Sequence, residues 1–277
     1  MAEKKRKHFS DINPTFYSIA VKKEIARRHL KDLFSSEKFS KTVEKEPFPN
    51  LVASYSCHLI RRGPGIDLRL QENKAVNINL ACARLNGTIV HPGESFSFWR
   101  TVGSTTKRKG YMEGREIFGN QVRPGVGGGL CNLGNTVHLL VLHSPLDVTE
   151  IHTHSDALSP DEGERIPYAT GTSVSYNNVD FRFKNNTNQD VQLLLWCDED
   201  NLYGELRSRE PFPYRYELVE EDHHFKKEGD IFYRNSKIYR KIIDNATGEV
   251  VKKELILDNH SEVMFDYDLI PKELIRE

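Results

Sequence analysis

The chain lacks several features that would assign it to a class of protein directly. Its 277 residues include only four cysteines, and none of them lies in a CxxC pair. Scattered cysteines of this kind favour reduced thiols over a disulfide framework. No apolar run approaches the ~20 residues that a transmembrane helix needs, and no internal repeat or low-complexity tract is visible.

An excess of charge of one sign is also missing. The chain has 39 Lys and Arg against 40 Asp and Glu, a formal net charge of −1. A balanced chain has no overall attraction to nucleic acid, so we expect no nucleic-acid partner. A basic run, residues 4–7, opens the chain, but no apolar segment follows it. We therefore expect no signal peptide and a cytoplasmic location.

Composition divides the chain into three parts. Residues 1–49 read as a basic helical segment and linker, residues 50–208 as the main domain, and residues 209–277 as a small β-rich appendage. Apolar residues recur at helical spacing from Phe16 to Phe34, with lysines and arginines between them. Such a helix is more often a solvated face packed on a core, and weak contact with a membrane surface is the alternative.

The pattern in the rest of the chain predicts an α+β fold, a mostly antiparallel sheet with a few helices. A helix is expected over 73–85, with Asn73 as its N-cap and Asn86-Gly87 as its end. Alternating or β-branched runs predict strands at 51–60, 88–90, 95–99, 146–154, 174–184, 191–197, 202–207, 216–221, 231–243 and 250–257. We expect 174–184 and 191–197 to form a hairpin.

The most informative stretch is a glycine-rich segment directly before an apolar helix predicted over 130–143. Four glycines within five residues, from Gly125 to Gly129, permit positive φ and close approach of another group to the backbone. Cys131 then lies where the helix begins. Unpaired amides and the positive end of the helix dipole gather there, and both favour a thiolate.

Backbone amides at the same place are suited to hold a developing negative charge. The amides of Gly128, Gly129, Leu130 and Cys131 can form an oxyanion hole for an attacked carbonyl group. A cysteine at a helix start beside such amides is typical of a nucleophilic site.

A general base for this cysteine is expected about twenty residues downstream. If 146–154 is a strand, His152 and His154 lie on the same face, and either can accept the thiol proton. His154 is preferred because Ser155 and Asp156 follow it and can orient its ring. Asn132 can orient the histidine, donate to the oxyanion or cap the helix, and capping is slightly favoured.

Two other chemistries fit parts of the same pattern. A glycine-rich loop before a helix can bind phosphate, but the GxxxxGK[ST] signature is absent. Cys131, His152 and His154 can be three zinc ligands, but the sequence singles out no fourth. We therefore expect neither a metal nor another cofactor.

Five blocks of sequence carry a resemblance to a known family. They are residues 80–87, 92–98, 124–131, 152–155 and 179–187. In this order and spacing, over roughly residues 65 to 208, the chain resembles the VanW family. The resemblance implies a bacterial protein linked to cell-wall peptide metabolism and glycopeptide resistance. Some members are thought to be L,D-transpeptidases that use the cysteine of the glycine-rich motif, which implies Cys131 here, with His152 or His154 as its partner.

Three positions depart from the usual family pattern. Asn132 stands where the family has Gln, Ile151 where it has Arg, and Gly171 where it has Asp. The leading hypothesis is cysteine-dependent acyl transfer or amide hydrolysis on a peptidoglycan-type peptide or precursor. The alternatives are a module that binds such a peptide without chemistry, and a zinc hydrolase.

Overall fold

A computed structural model describes residues 14–60, 62, 66–118, 121–153, 156–157, 172–176 and 179–276. The architecture is α+β with mostly antiparallel sheets, as predicted. The helices are α1 Pro14–Phe34, α2 Leu68–Leu85, α3 Phe98–Val102 and α4 Leu130–Leu142. No helix in these ranges is both long enough and apolar enough to cross a membrane.

The strands form four sheets within the described residues. They are β1 Thr42–Val43, β2 Asn50–His58, β3 Thr88–Val90, β4 Ser95–Ser97, β5 Glu113–Phe118, β6 Gln121–Val126, β7 Asp147–Glu150, β8 Asp156–Ala157, β9 Arg182–Lys184, β10 Val191–Cys197, β11 Asn201–Ser208, β12 Tyr214–Glu228, β13 Ile231–Asp244, β14 Val250–Val263 and β15 Ile275–Arg276. The sheet orders are β1-β3-β10-β11-β2, β4-β9-β7, β5-β6 and β15-β12-β13-β14-β8.

Helices α2 and α4 pack on the five-stranded sheet that β2 and β10 belong to. Their apolar residues and the inner face of the sheet form the main core. Four phenylalanines of this core are completely buried: Phe96, Phe98, Phe181 and Phe183. The rings of Phe96 and Phe183 stack with centroids 4.8 Å apart, which helps to fix β4 against β9.

Helix α2 begins earlier than the sequence predicted. Its N-cap is Asp67, whose carboxylate accepts hydrogen bonds from the amides of Arg69 and Leu70 at 2.9 and 3.3 Å. Asn73 is therefore not the cap, and that prediction was wrong. The predicted end at Asn86 is confirmed, since Asn86 is the C-cap.

Two strand predictions were also wrong. The aromatic run 95–99 is a strand only to Ser97, because the Ser97 hydroxyl accepts from the amide of Arg100 at 3.3 Å and starts α3 there. The segments 174–184 and 191–197 do not form a hairpin. Only 182–184 of the first is a regular strand, and it pairs with β4 and β7, whereas β10 pairs with β3 and β11.

Strand β7 is shorter than the predicted 146–154. It ends at Glu150 after a register shift, and His152 lies beyond it. The chain then makes an isolated antiparallel bridge between Thr153 and Thr172. The predicted alternation therefore does not continue as a strand through His152.

The last third of the chain is β-rich, as predicted, with strands longer than expected. β12, β13 and β14 contain 15, 14 and 14 residues and pair antiparallel along most of their length. Phe225, Val263 and Ile270 form a small core of their own. Leu218 packs on Leu139 and Leu142, so this sheet also contacts α4. The division at 49 and 208 stays a prediction.

Candidate functional site around Cys131

The glycine-rich elbow connects β6 to α4, as the sequence predicted. Residues 127–129 form a turn, and Gly129 is the N-cap of α4 with φ 99°. A left-handed conformation at the cap is costly for any other residue. A Cβ at Gly129 would also collide with the aliphatic stem of Lys74, a buried residue of α2.

Packing explains the glycine at the centre of the elbow. A Cβ at Gly128 would collide with the backbone of Gly114 in β5. The fully buried Asn77 fastens this contact, since its amide nitrogen donates to the carbonyls of Gly128 and Met112 at 2.9 and 3.0 Å. Its amide oxygen accepts from the Met112 amide at 2.8 Å. Close packing therefore explains why these positions are glycines, and the sequence alone did not identify the residues that they pack against.

Cys131 is the second residue of α4, where the sequence placed it. Its side chain is partly buried, and its thiol donates to the carbonyl of Val174 at 3.7 Å. Within the described residues, the amides of Gly129, Leu130 and Cys131 donate to no backbone acceptor. The Gly128 amide does, bonding to the Gly125 carbonyl at 2.9 Å. The first three remain available as oxyanion donors.

The electrostatics of the thiol differ from the expectation. Burial raises the pKa of Cys131, and the nearby Glu116 carboxylate raises it further. The free chain therefore carries a neutral thiol at pH 7, not the thiolate that the helix start led us to expect. A base has to remove the proton before this sulfur can attack.

Asn132 does not cap the helix. Its side-chain oxygen accepts from the thiol of Cys57 at 3.4 Å, and that thiol also lies 3.8 Å from the Thr136 hydroxyl. The preferred interpretation of Asn132 was thus wrong, because Gly129 holds the N-cap position. Asn132 instead connects α4 to β2.

His138 lies on the same face of α4 as Cys131 but is not its base. Seven residues along a helix correspond to about 10 Å. The His138 ring is buried and bonds through Nδ1 to the Thr172 hydroxyl at 2.9 Å. Burial lowers the pKa of His138 to about 4, so the ring is neutral and structural at pH 7. Segment 172–174 thus contacts α4 at both Thr172 and Val174.

Segment 172–174 also contacts His152, the second choice for the base. The Ser173 amide donates to the His152 carbonyl at 2.7 Å. The His152 ring is half-exposed, and its Nε2 lies 3.1 Å from the Glu150 carboxylate. No contact between this ring and Cys131 Sγ is recorded in the part of the chain that the structure describes. His154 and Ser155 lie outside the described residues.

Glu150 is held in a cluster of buried and half-buried charges. The Arg28 guanidinium of α1 donates to both of its oxygens, at 2.6 and 2.5 Å. Burial alone would raise the pKa of Glu150, but Arg28 and His152 bind its charged form and lower it overall. Glu150 is therefore a fixed anion against which the His152 ring is oriented.

Arg182 is the centre of the same cluster. It bonds Asp32 of α1 through two nitrogens, at 2.9 and 2.8 Å, and Asp180 through Nε at 2.7 Å. Burial opposes the charge on Asp32, but the Arg182 guanidinium lowers the pKa of that carboxyl overall. Asp180 in turn accepts from the Ser97 hydroxyl at 2.6 Å. We call Arg28, Asp32, Glu150, Asp180 and Arg182 the charge cluster.

An open cavity near the predicted residues lies beside α1. It measures about 670 Å³ and is lined by Glu24, Arg27, Arg28, Lys31, residues 148–151 and His152. Cys131 does not line it. His152 therefore faces basic side chains of α1, while Cys131 faces segment 172–174.

The zinc hypothesis receives no support from this arrangement. No group of three or more histidine, cysteine or acidic side chains is placed to hold a metal among the described residues. The thiol of Cys131 bonds the Val174 carbonyl, and the ring of His152 bonds the Glu150 carboxylate.

Sequence reasoning missed several residues around the elbow. Gln71, Lys74 and Asn77 are polar residues at a spacing of three on the buried side of α2. Polar residues that recur on the side of a helix expected to be buried are the sequence signal that would have pointed to the elbow. Asn135, one turn after Cys131, has a buried side-chain oxygen with no partner in the described part of the chain. Nothing in the local sequence distinguishes it.

Comparison with known proteins bears on the identity of this region. Residues 73–207 match the family model described as VanW like protein. These residues belong to the VanW family. They include the elbow, Cys131 and His152, together with most of α2 and of β11. The resemblance inferred from the five sequence blocks is thereby confirmed.

Two curated proteins illustrate the extent of the likeness. The chain is 25% identical over 227 residues to the vancomycin B-type resistance protein VanW of Enterococcus faecalis, a match that covers 82% of each chain. It is 30% identical over 120 residues to the uncharacterized protein YoaR of Bacillus subtilis. That match covers 43% of this chain and 38% of the B. subtilis protein. No solved structure matches the chain.

Proposed function

We propose that this VanW-family chain acts on peptidoglycan-type peptides by cysteine-dependent acyl transfer. The setting of glycopeptide resistance rests on the name of the E. faecalis relative, a vancomycin B-type resistance protein. The observation that carries the chemistry is the position of Cys131. Its sulfur lies at the start of a helix beside three amides without a described backbone acceptor.

The proposed reaction proceeds through a thioester. A base takes the Cys131 proton, and Sγ attacks a peptide carbonyl carbon. The amides of Gly129, Leu130 and Cys131 stabilise the oxyanion. The C–N bond then breaks, and the leaving amine takes the proton from the base. An amine acceptor completes a transpeptidation, or water completes a hydrolysis, and the thiol is regenerated.

His152 is supported as the base by its carboxylate partner. Glu150 holds Nε2 of the ring at 3.1 Å, and Arg28 holds Glu150. A base oriented by a third group is typical of nucleophilic sites, and hydrogen bonds to the nucleophile often form only with substrate bound. His154 is the second candidate for this role.

A cytoplasmic location is supported by the thiols. All four cysteines are free, a state that a reducing compartment maintains. The substrate in that compartment is a wall precursor. Cell fractionation tests this, with recovery in the periplasmic or external fraction as the contrary result.

Turnover of stem peptides tests the proposed chemistry. The purified chain is incubated with peptidoglycan stem peptides, with and without an amine acceptor, and products are identified by mass spectrometry. Cys131→Ser is expected to lower kcat by at least about a thousandfold. Cys197→Ser, which changes another half-buried thiol, is expected to leave kcat within a few fold of the original. Undiminished turnover by Cys131→Ser would contradict the proposal.

The histidines are tested in the same assay. His152→Gln is expected to lower kcat by about 10²–10⁴-fold, and Glu150→Gln by less, since Glu150 acts through the ring. An effect confined to His154→Gln would assign the base to His154.

A second candidate, a non-catalytic binding module, is favoured by two observations. The raised pKa of Cys131 and the packing roles of the elbow glycines are both compatible with a site that performs no chemistry. Calorimetric titration with stem peptides distinguishes the two. Binding without turnover, unchanged in Cys131→Ser, would support the binding module.

A further inference from the structure

Four large apolar residues of α1 lie on its outer side. The side chains of Ile19, Leu30, Leu33 and Phe34 are 57, 55, 74 and 83% exposed. The sequence favoured the opposite arrangement, with this face packed on the core. Large apolar residues this exposed, grouped on one helix, mark an interaction surface more often than chance.

Ion pairs explain why the helix is turned this way. Asp32, which is buried, bonds Arg182, and Arg28 bonds Glu150. These contacts fix the polar side of α1 against the main domain. The apolar side is held away from the core because the charge cluster occupies the inner side.

The exposed apolar residues form a narrow stripe with basic borders. At 100° per residue, Ile19, Leu30, Leu33 and Phe34 fall within an arc of about 100°. Lys22, Lys23 and Arg27 lie within this arc or about 20° from its edges, and Lys31 lies about 60° beyond it. All four of these basic residues are exposed. No ion pair is recorded for the three lysines within the described residues. We call these eight residues the α1 stripe.

The net charge of α1 is opposite in sign to the net charge of the residues that follow it. Residues 14–34, which form α1, contain five Lys and Arg against two Asp and Glu, a net charge of +3. Residues 35–277 contain 30 Lys and Arg against 36 Asp and Glu, a net charge of −6. A field of this kind attracts the α1 end of the molecule to an anionic surface and repels the rest.

We propose that α1 docks the molecule on an anionic phospholipid surface through the α1 stripe. Apolar side chains enter the boundary between headgroups and acyl chains, and the basic side chains contact lipid phosphates. A second copy of the chain is a poorer occupant, because two stripes face to face would bring like charges together. This docking is independent of the chemistry proposed for Cys131.

Vesicle co-sedimentation of the full chain tests the proposal. The probes are phosphatidylcholine vesicles with and without about one third phosphatidylglycerol, at low and high salt. We expect binding to the anionic vesicles that weakens with salt. Lys22→Gln, Lys23→Gln and Lys31→Gln are each expected to weaken it by about fivefold at low salt.

A matched pair of variants separates the stripe from general surface apolarity. Leu30→Ser/Leu33→Ser/Phe34→Ser is expected to abolish vesicle binding. Val250→Ser/Val251→Ser/Leu255→Ser changes three residues of the C-terminal sheet with exposures of 52, 55 and 50%, and is expected to bind as the original chain does. Because both sets are exposed, both variants are expected to keep the far-UV spectrum of the folded protein.

Several results would overturn the proposal. They are equal binding to both vesicle types, equal binding by the stripe variant and the original chain, or equal loss in the two triple variants. Sedimentation velocity without lipid tests whether a second copy of the chain binds the α1 stripe instead. Self-association that the stripe variant alone loses, without vesicle binding, would assign the surface to a second copy.

Discussion

The elbow and the charge cluster are two regions of the chain that are held together by different kinds of contact. The elbow depends on close backbone contact, with Gly128 against Gly114 and the neutral Asn77 as its fastener. The charge cluster depends on full charges taken out of water, with the Arg182 side chain only 7% exposed. The elbow leads into Cys131, and Glu150 of the charge cluster bonds the ring of His152, so each region positions one member of the proposed Cys131–His152 pair.

The elbow and the charge cluster are expected to tolerate different kinds of substitution. A backbone contact tolerates no added atom but loses little from a change in charge. A buried ion pair tolerates no loss of one partner, because the other charge is left without compensation. We therefore expect size to control the elbow, and charge to control the position of α1 and Glu150.

The largest expected effect comes from removing the centre of the charge cluster. Arg182→Ala leaves Asp32 and Asp180 as buried carboxylates without their main partner. We expect a loss of about 3–5 kcal/mol in the free energy of unfolding, measured by urea denaturation at pH 7. An exposed ion pair supplies the control, since Lys107→Ala breaks a bond to Glu113 at the surface. That change is expected to have little effect. Equal losses in the two variants would contradict the assigned role of burial.

The elbow is tested by a glycine pair with similar backbone angles. Gly129 and Gly248 have φ 99° and 76°, but only Gly129 has close neighbours. Gly248→Ala is expected to cost about 1 kcal/mol for the backbone alone. Gly129→Ala is expected to cost about 3 kcal/mol, since displacement of Lys74 is added. If the two costs agree in parallel denaturation curves, close packing is not what the elbow glycine provides.

Helix α4 and the charge cluster are also expected to lose stability in different pH ranges. The folded pKa of His138 is about 4, below its ordinary value of ~6.5. The contribution of the neutral His138 ring to the free energy of unfolding is therefore complete above pH ~6.5 and is lost as the pH falls towards 4. Between pH 7 and 5 we expect a loss of about 2 kcal/mol. His138→Gln is expected to flatten this slope in denaturation curves collected over that range.

Asp32 provides the contrasting titration. Its folded pKa is lowered, so its stabilisation persists below pH 5 and is lost only below its ordinary pKa of ~3.9. Asp32→Asn is expected to leave the slope between pH 7 and 5 unchanged. The assignment of the two pH ranges would be contradicted if Asp32→Asn flattened the dependence of the free energy of unfolding on pH between pH 7 and 5. It would equally be contradicted if His138→Gln left that dependence unchanged.

The smallest expected effect is in thiol reactivity. Burial raises the pKa of Cys131, whereas hydrogen bonding from Cys82 lowers that of Cys197. With iodoacetamide, we expect Cys131 to be alkylated with an apparent pKa above the ~8.5 of an ordinary thiol. Cys197 is expected to react at lower pH. Mass spectrometry of each cysteine peptide gives both profiles, and a Cys131 midpoint below 8.5 would show an activated thiolate.

The sequence predicted the elbow well because its signals are local. Four glycines followed by apolar residues at helical spacing are read within twenty residues, and Cys131 is where they placed it. The failed hairpin shows the limit of such signals. Asn185 has the character of a turn residue, but its amide donates to the carbonyl of Val90 in β3 as well as to Gln189. A tertiary contact thus decides where the two strands go.

The charge cluster could not be predicted from local pattern. Asp32 and Arg182 are 150 residues apart, and Arg28 and Glu150 are 122 apart. Nothing in the neighbourhood of either residue identifies its partner. The orientation of α1 and the carboxylate behind His152 both follow from these pairings, so both were outside the reach of the sequence.

The central claim is that Cys131 forms a bond to the substrate. The most direct measurement is an acid quench of the full chain during turnover of a stem peptide, followed by intact-mass and peptide-mapping spectrometry. The account predicts an acyl adduct on Cys131 that is absent from Cys131→Ser and present in Cys197→Ser. Product formation without any adduct on Cys131, undiminished in Cys131→Ser, would contradict it.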